Sequence, residues 1–200
     1  MSKLVEFYYD FGSPAAYLAW SQLPDICAEY GGVLQYKPIL LGGVFQISGN
    51  QTPVNIPAKR KWLFDDLTRY AELYDVPFKV NPHFIVNTLG LMRGAMWAWD
   101  NGCIEPYNKA MFEAMWVEEL PMEEPAAILD VLVRAGLDGQ AALEAVQTPE
   151  IKSALIEATS AAAARGVFGV PTIFVGGAMH FGQDRLDWVR RALDHAQEPT

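Results

Sequence analysis

Hydrophobic positions near both ends of the chain follow patterns typical of β-strands. Residues 4–10 form an apolar and aromatic run of strand length, and residues 33–38 form a second one. Near the other end, residues 171–175 and 178–181 are two further short apolar runs, separated only by two glycines. Such spacing predicts an antiparallel hairpin.

Between these runs the apolar positions recur every three or four residues, which is the period of an amphipathic helix. One helix is predicted over residues 15–30 and a last one from residue 184 to about 197. The middle of the chain, residues 58–165, reads as almost wholly helical. Its repeating positions are Leu63, Leu67, Tyr70 and Tyr74; Leu89, Met92, Met96 and Trp99; and Ile151, Leu155, Ala158 and Ala162. Residues 40–57 are rich in Gly, Asn and Pro and predict a long loop of functional interest.

The order of these elements predicts one sheet assembled from both ends of the chain. A strand, a helix and a strand at the start favour a parallel βαβ unit, and the later hairpin adds antiparallel strands. We therefore predict an α/β fold with a mixed sheet formed by residues 1–57 and 166–200. Residues 58–165 are predicted to be an inserted α-helical domain.

Composition narrows the function classes. The 200 residues are 51% hydrophobic and carry a formal net charge of −9, which argues against nucleic acid or an anionic membrane surface as a partner. No apolar run reaches the roughly 18 to 20 residues that span a bilayer, and the first residues lack the apolar core of a secretory signal.

The two cysteines, Cys27 and Cys103, form no Cys-x-x-Cys pattern, and we expect a cytoplasmic protein without a disulfide framework. No spacing typical of metal ligands is present.

The first stretch with chemical potential is Asp10-Phe11-Gly12-Ser13-Pro14, between the first strand and the first helix. Backbone N–H groups and the helix dipole stabilise anions at such a position, and they lower the pKa of a thiol there. A serine hydroxyl could donate a hydrogen bond to a bound sulfur. Ordinary helix capping by Ser13 is the alternative interpretation.

Two further stretches lie near the other end of the chain. Val170-Pro171 leads directly into a strand, and a trans proline that enters an edge strand is the usual interpretation of such a pair taken alone. A cis bond is the alternative, and it would expose the backbone of Val170 to a bound peptide. In Phe181-Gly182-Gln183-Asp184, a helix start could receive a carboxylate and Asp184 could bind an ammonium group. An aspartate that only caps the helix is equally compatible with this pattern.

Taken together, four motifs resemble the kappa-class glutathione transferases and their bacterial relatives, the 2-hydroxychromene-2-carboxylate isomerases. They are D-F-G-S-P after the first strand, Ser48-Gly49-Asn50, G-V-F-G-V-P-T over residues 166–172, and F-G-Q-D-R over residues 181–185. The resemblance covers essentially the whole chain. It implies a DsbA-like thioredoxin fold, glutathione as cofactor and a homodimer.

The resemblance also assigns roles to residues. Ser13 stands where redox members of the family keep their first cysteine, and it would hold the glutathione sulfur as a thiolate. Ala16 stands at the second cysteine position, so the chain lacks the dithiol of a disulfide oxidoreductase. The other implied glutathione-binding residues are Asn50, Pro57, Val170, Pro171, Phe181, Gly182, Gln183 and Asp184.

The resemblance departs from the naphthalene-pathway isomerases at two cations. Where those enzymes carry a lysine and an arginine, this chain has Phe45 and Ile56, with only Asn55 retained between them. The loop motif is closer to the kappa transferases. We predict a substrate pocket lined by Phe11, Phe45, Asn55, Trp62 and Phe84.

These observations predict a glutathione-dependent isomerase that acts on a small, electrophilic, aromatic substrate. The thiolate would add to an electron-poor double bond and leave again after rotation. A glutathione transferase, which releases the conjugate, is one alternative. A thioredoxin-fold module that binds without catalysis is an alternative of another class.

Overall fold

The computed structural model describes residues 3–195 and contains a four-stranded sheet surrounded by helices. The strands are β1 Lys3–Tyr9, β2 Gly32–Pro38, β3 Thr172–Val175 and β4 Ala178–Phe181. The α-helices are α1 Pro14–Tyr30, α2 Leu41–Ser48, α3 Pro57–Leu73, α4 Leu89–Asp100, α5 Ile104–Trp116, α6 Pro125–Arg134, α7 Gly139–Ala145, α8 Pro149–Ala164 and α9 Leu186–His195. Short 3₁₀ turns occupy Pro53–Asn55 and Gln183–Arg185.

The sheet confirms the predicted topology. Its strand order is β2-β1-β3-β4; β1 and β2 are parallel, with Val5 opposite Leu34, whereas β3 runs antiparallel to both β1 and β4. Phe7 on β1 lies opposite Ile173 on β3, so the two ends of the chain meet in the middle of the sheet. The expected α/β fold with a mixed sheet is therefore present.

The helices predicted from periodicity lie in α3, α4 and α8, between β2 and β3. Their division from the sheet as a separate domain stays a prediction. The predicted last helix begins two residues later than expected, because Gln183–Arg185 forms a 3₁₀ turn before α9. The predicted end of this helix, at residues 196–197, lies outside the described residues. The predicted domains also include residues 1–2 and 198–200, which lie outside them as well.

The prediction of one long loop over residues 40–57 is wrong. Leu41–Ser48 forms α2, which packs against α8. Gly42 and Gly43 obscured the helical pattern, yet Gly43 is what permits the close approach: a Cβ there would lie 3.0 Å from Cγ2 of Thr159. The backbone N–H of Leu40 also donates to Oγ1 of Thr159 at 3.0 Å, which fixes the start of α2 on α8.

One aromatic cluster joins the sheet to the helical segment. The rings of Phe7 and Tyr9 stack with centroids 5.2 Å apart, and Phe11 meets Phe112 of α5 at 4.8 Å. The buried Tyr9 hydroxyl donates to Oδ1 of Asn108 at 2.6 Å. This core holds the carboxyl end of β1, and hence the start of α1, in a fixed position.

Candidate active site

Asp10 organises the segment between β1 and α1. Its buried carboxylate accepts hydrogen bonds from the backbone N–H of Gly12 (2.8 Å), the hydroxyl of Thr88 (2.7 Å) and the backbone N–H of Leu41 (2.8 Å). Burial raises the pKa of Asp10, and the three donors oppose that rise because they favour the ionised form. The same side chain therefore ties together the starts of α1 and α2 and the segment before α4.

Ser13 caps α1, as its sequence position predicts. Its Oγ accepts a hydrogen bond from the N–H of Ala16 at 3.1 Å and donates to the carbonyl of Val170 at 3.3 Å. The residue is 6% exposed and faces a cavity. A hydroxyl has one proton, so a ligand that receives it must compete with the Val170 carbonyl. This competing bond was invisible in the sequence because its partners are 157 residues apart.

The peptide bond between Val170 and Pro171 is cis, so the usual trans interpretation of this pair is wrong here. The carbonyl of Pro171 accepts from the N–H of Gly182 at 3.0 Å, and the hydroxyl of Thr172 donates to Gly169 at 2.8 Å. Within residues 3–195 the N–H of Val170 has no acceptor. A backbone donor is thus available beside Ser13.

The end of β4 forms the opposite wall of the cavity. Phe181 packs its ring on Phe168, with centroids 4.6 Å apart, and the carbonyl of Gln183 accepts from the hydroxyl of Tyr74 at 2.7 Å. The carboxylate of Asp184 pairs with the guanidinium of its neighbour Arg185 at 2.5 Å. A ligand ammonium at Asp184 would therefore share the carboxylate with Arg185.

These segments enclose a cavity of about 410 Å³, in the range of small-molecule sites. Its lining comes from the start of α1, from α2, from the turn before α3, from α3 itself and from the two segments around β3 and β4. The lining residues are Gly12, Ser13, Pro14, Ala15, Leu41, Phe45, Asn50, Gln51, Thr52, Pro53, Val54, Trp62, Leu63, Asp66, Leu67, Phe84, Gly169, Val170, Pro171, Phe181, Gly182, Gln183, Asp184 and Arg185.

The structure brings most of the proposed glutathione-binding residues to this cavity. Asn50 lines it and also donates from Nδ2 to the carbonyl of Phe168 at 2.8 Å, so it holds the segment that precedes the cis bond. Pro57 does not line the cavity. It is exposed at the first position of α3, where it serves as a helix start.

The predicted substrate pocket is present in part. Phe45, Trp62 and Phe84 line the cavity. Phe11 does not: it is fully buried among core aromatics, and its carbonyl accepts from Nε1 of Trp116 at 2.8 Å. Asn55 is exposed in a 3₁₀ turn and also lies outside the lining.

Sequence reasoning missed the face that α3 turns toward the cavity. Trp62, Leu63, Asp66 and Leu67 line it together, and their spacing of one, three and one residues places them on one side of a helix. That signal was present in the sequence, although only Trp62 was selected. Arg185 was also missed as a functional candidate.

The two cysteines are not activated thiols. Burial raises the pKa of Cys27 to about 11, and burial also raises the pKa of Cys103. Thiols of that kind carry little thiolate at neutral pH. Within residues 3–195 no group of three His, Cys, Asp or Glu side chains could hold a metal ion, and no helix has the length and apolar character needed to cross a bilayer.

Comparison with known proteins places this architecture in a family. The DsbA-like thioredoxin domain profile matches residues 4–194. The chain belongs to the DsbA-like thioredoxin family. It is 31% identical over 195 residues to the 2-hydroxychromene-2-carboxylate isomerase of Sphingobium xenophagum, spanning 96% of this chain and 99% of that enzyme.

Other relatives fall on the two branches that the motifs indicated. Glutathione S-transferase kappa 1 of Rattus norvegicus is 29% identical over 199 residues, covering 92% of this chain and 88% of the transferase. A solved structure of a 2-hydroxychromene-2-carboxylate isomerase superposes with a TM-score of 0.86 at 30% identity, covering 96% of this chain and 95% of that one. The chain is thus a member of the group that contains these isomerases and the kappa-class transferases.

Proposed function

We propose that this protein is a glutathione-dependent isomerase resembling the 2-hydroxychromene-2-carboxylate isomerases, in which Ser13 stabilises the glutathione thiolate. The observation that carries the proposal is the position of the Ser13 hydroxyl. It lies at the start of α1, within hydrogen-bond distance of the Val170 carbonyl, and faces a cavity of about 410 Å³. A sulfur at this point would meet both a hydroxyl donor and the positive end of a helix.

The combined energy of these two effects spans the value that a thiolate at neutral pH requires. A free thiol has a pKa of about 8.5, and lowering it by about two units requires roughly 2.7 kcal/mol of differential stabilisation. A hydrogen bond to a charged group contributes about 1.5 to 3 kcal/mol and a helix end about 0.3 to 1 kcal/mol. Ser13 then acts as a donor and not as a nucleophile, because none of the described residues that line the cavity is a histidine that could serve as its base.

The remaining groups fit the rest of the tripeptide. The free N–H of Val170 would pair with the cysteinyl carbonyl of glutathione beside the cis bond. Asp184 would bind the γ-glutamyl ammonium, and Arg185 and Asn50 offer donors for the carboxylates. Because the protein carries a net charge of −9, these local donors matter for a ligand that is itself anionic.

In the proposed reaction, the bound thiolate adds to an electron-poor double bond of a small aromatic substrate. The bond order falls, the adduct rotates, and elimination restores the double bond and the glutathione thiolate. Glutathione is therefore regenerated as a cofactor. We expect the catalyst to work as a cytoplasmic homodimer.

A second candidate function is a glutathione transferase of the kappa type, in which the adduct is released. The lining favours this function because Phe45, Trp62 and Phe84 are aromatic. Among residues 3–195, Arg185 is the one cation that lines the cavity, and it is paired with Asp184. A carboxylate on the acceptor would have no unpaired cation in the cavity. Turnover of a hydroxychromene carboxylate without glutathione consumption supports the isomerase, and stoichiometric conjugation of an aryl halide supports the transferase.

Ultraviolet difference titration with glutathione tests the role of Ser13. We expect a thiolate band in the wild-type complex and a thiol pKa higher by roughly one to two units in Ser13→Ala, because a hydrogen bond to the charged sulfur is lost. Ser21→Ala, which removes another hydroxyl of α1, is the matched control and should leave the pKa unchanged. If the thiol pKa in Ser13→Ala equals that in the wild type, Ser13 has no part in the mechanism. If glutathione raises the melting temperature but neither reaction is observed, the protein is a binding module.

A further inference from the structure

We propose that a second cavity, between α2, α4 and α8, binds a small amphiphilic carboxylate. The cavity has a volume of about 260 Å³ and is separate from the candidate active site. Two cations, Arg93 and Lys152, line this cavity together with apolar side chains.

The charges in this cavity are unbalanced. Arg93 on α4 and Lys152 on α8 line it, and no acidic residue in the described part of the chain does. Neither side chain forms an ion pair with a carboxylate in the described part of the chain. In a protein with 24 acidic and 15 basic residues, two unpaired cations in one cavity without an acid form a local positive site.

The guanidinium of Arg93 supplies the more specific signal. Its Nε is buried and has no hydrogen-bond partner within residues 3–195. Because Nε has almost no accessible surface, the donors that Arg93 can offer to a ligand in the cavity are its terminal nitrogens, and a carboxylate can accept two parallel hydrogen bonds from them. Lys152 would add a second positive charge as a mobile point donor.

The apolar lining decides between a carboxylate and a bare inorganic anion. Leu40, Leu89 and Leu155 line the interior, whereas Ile47 and Ile156 are 58% and 64% exposed at the rim. Inorganic phosphate would use the cations and leave these side chains in water. A carboxylate attached to one ring or a short chain contacts both the cations and the apolar side chains.

Helix α2 separates this cavity from the candidate active site. Leu41 and Phe45 line the larger cavity, and Gln46 and Ile47 line the smaller one. The two sites can therefore be filled at the same time. The proposal does not depend on glutathione binding, so its failure and that of the proposed function are separate results.

Calorimetric titration of the full chain with benzoate tests the proposal. We expect saturable binding that weakens about tenfold or more in Lys152→Gln and in Arg93→Lys, since the first loses a charge and the second loses the planar fork while it retains its charge. Lys59→Gln, which removes an unpaired exposed cation on α3, is the matched control and should bind as the wild type does. Benzyl alcohol, of similar size but uncharged, should bind far more weakly.

Three results would overturn the proposal. One is the absence of benzoate binding at millimolar concentration. A second copy of the chain that covers the cavity would give this result. Another is binding that both Lys152→Gln and Arg93→Lys leave unchanged. The third is inorganic phosphate that binds at Arg93 and Lys152 while benzoate does not. Circular dichroism of each variant establishes that the fold is intact before affinities are compared.

Discussion

The carboxylate of Asp10 holds the segments around the candidate site in place, although Asp10 does not itself line the cavity. Its three donors come from residues 12, 41 and 88, which belong to three separate segments. All three present N–H or O–H groups, so the ionised carboxylate fits them best. The start of α1, and with it Ser13, depends on this arrangement.

Asp10→Asn should lower the free energy of unfolding by about 1 to 3 kcal/mol, because the amide NH₂ must face a donor and one buried hydrogen bond is lost. Urea titration followed by circular dichroism measures the change. Asp25→Asn, at an exposed position of α1, should change it by less than about 0.5 kcal/mol. Equal losses in the two variants would contradict the role assigned to Asp10.

The pair of helices α4 and α5 illustrates how elements are fitted together. Tyr107 of α5 is buried, and its hydroxyl donates to the carbonyl of Leu91 on α4 at 2.9 Å. The hydroxyl passes over Gly94, where a Cβ would lie only 2.0 Å from it. The contact between Tyr107 and Leu91 therefore requires glycine at position 94.

Gly94→Ala should destabilise the protein by about 1 to 3 kcal/mol, because the methyl group displaces Tyr107 and its hydrogen bond. Gly90→Ala is a control on the same helix, where a Cβ would meet nothing within 4 Å. We expect that substitution to leave stability unchanged or to raise it by up to about 1 kcal/mol, because alanine favours the helix. Thermal unfolding of the two variants compares them directly, and a Gly94→Ala protein as stable as Gly90→Ala would refute the steric argument.

Over the whole molecule, the sheet and the helical segment share one core. Phe11 packs on Phe112, Tyr9 donates to Asn108, and Trp116 donates to the carbonyl of Phe11. These contacts join β1 and its end to α5, so neither part keeps its buried surface alone. The helical segment predicted as a domain is continuous in packing with the sheet.

We therefore expect a single cooperative unfolding transition. Far-ultraviolet circular dichroism and tryptophan fluorescence should give coincident urea curves, because Trp116 of α5 reports on the same core that the sheet forms. Phe112→Ala should lower the midpoint of both curves together, by an amount equivalent to about 3 to 5 kcal/mol. Two separated transitions would show that residues 58–165 unfold on their own.

The pH dependence of that transition has a contribution from His180 on β4. Burial lowers the pKa of His180, and its Nε2 is buried without a partner in the described part of the chain. The folded pKa is thus below the unfolded value of about 6.5, so the unfolded state takes up the proton first as pH falls. The stabilisation is present above pH 6.5 and is lost as pH falls through the folded pKa.

The wild type should accordingly lose stability between pH 7.5 and pH 5, and His180→Gln should lose less over the same interval. Urea titrations at the two pH values measure the difference. His83→Gln, which removes an exposed imidazole, controls for the loss of a histidine as such. A steeper pH dependence in His180→Gln would reverse the assigned sign.

The sequence by itself determined the features that depend on neighbouring residues. Local periods, turn residues and capping preferences predicted the parallel first strands, the later hairpin, the helical character of residues 58–165 and the cap at Ser13. The resemblance of the motifs to a known family added the expectation that these separate segments form one site. These signals lie within a few residues of one another, so they can be seen without coordinates.

Only the tertiary structure decided which side chains face the cavity. Phe11 stands two residues before Ser13, yet its ring belongs to the core because Tyr107 and Phe112 pack around it. Asp66 and Leu67 reach the cavity because α3 runs along it, and α2 lies close against α8 because Gly43 has no side chain there. Each outcome depends on surfaces that are distant in the chain, and periodicity along one segment carries no information about what packs against it.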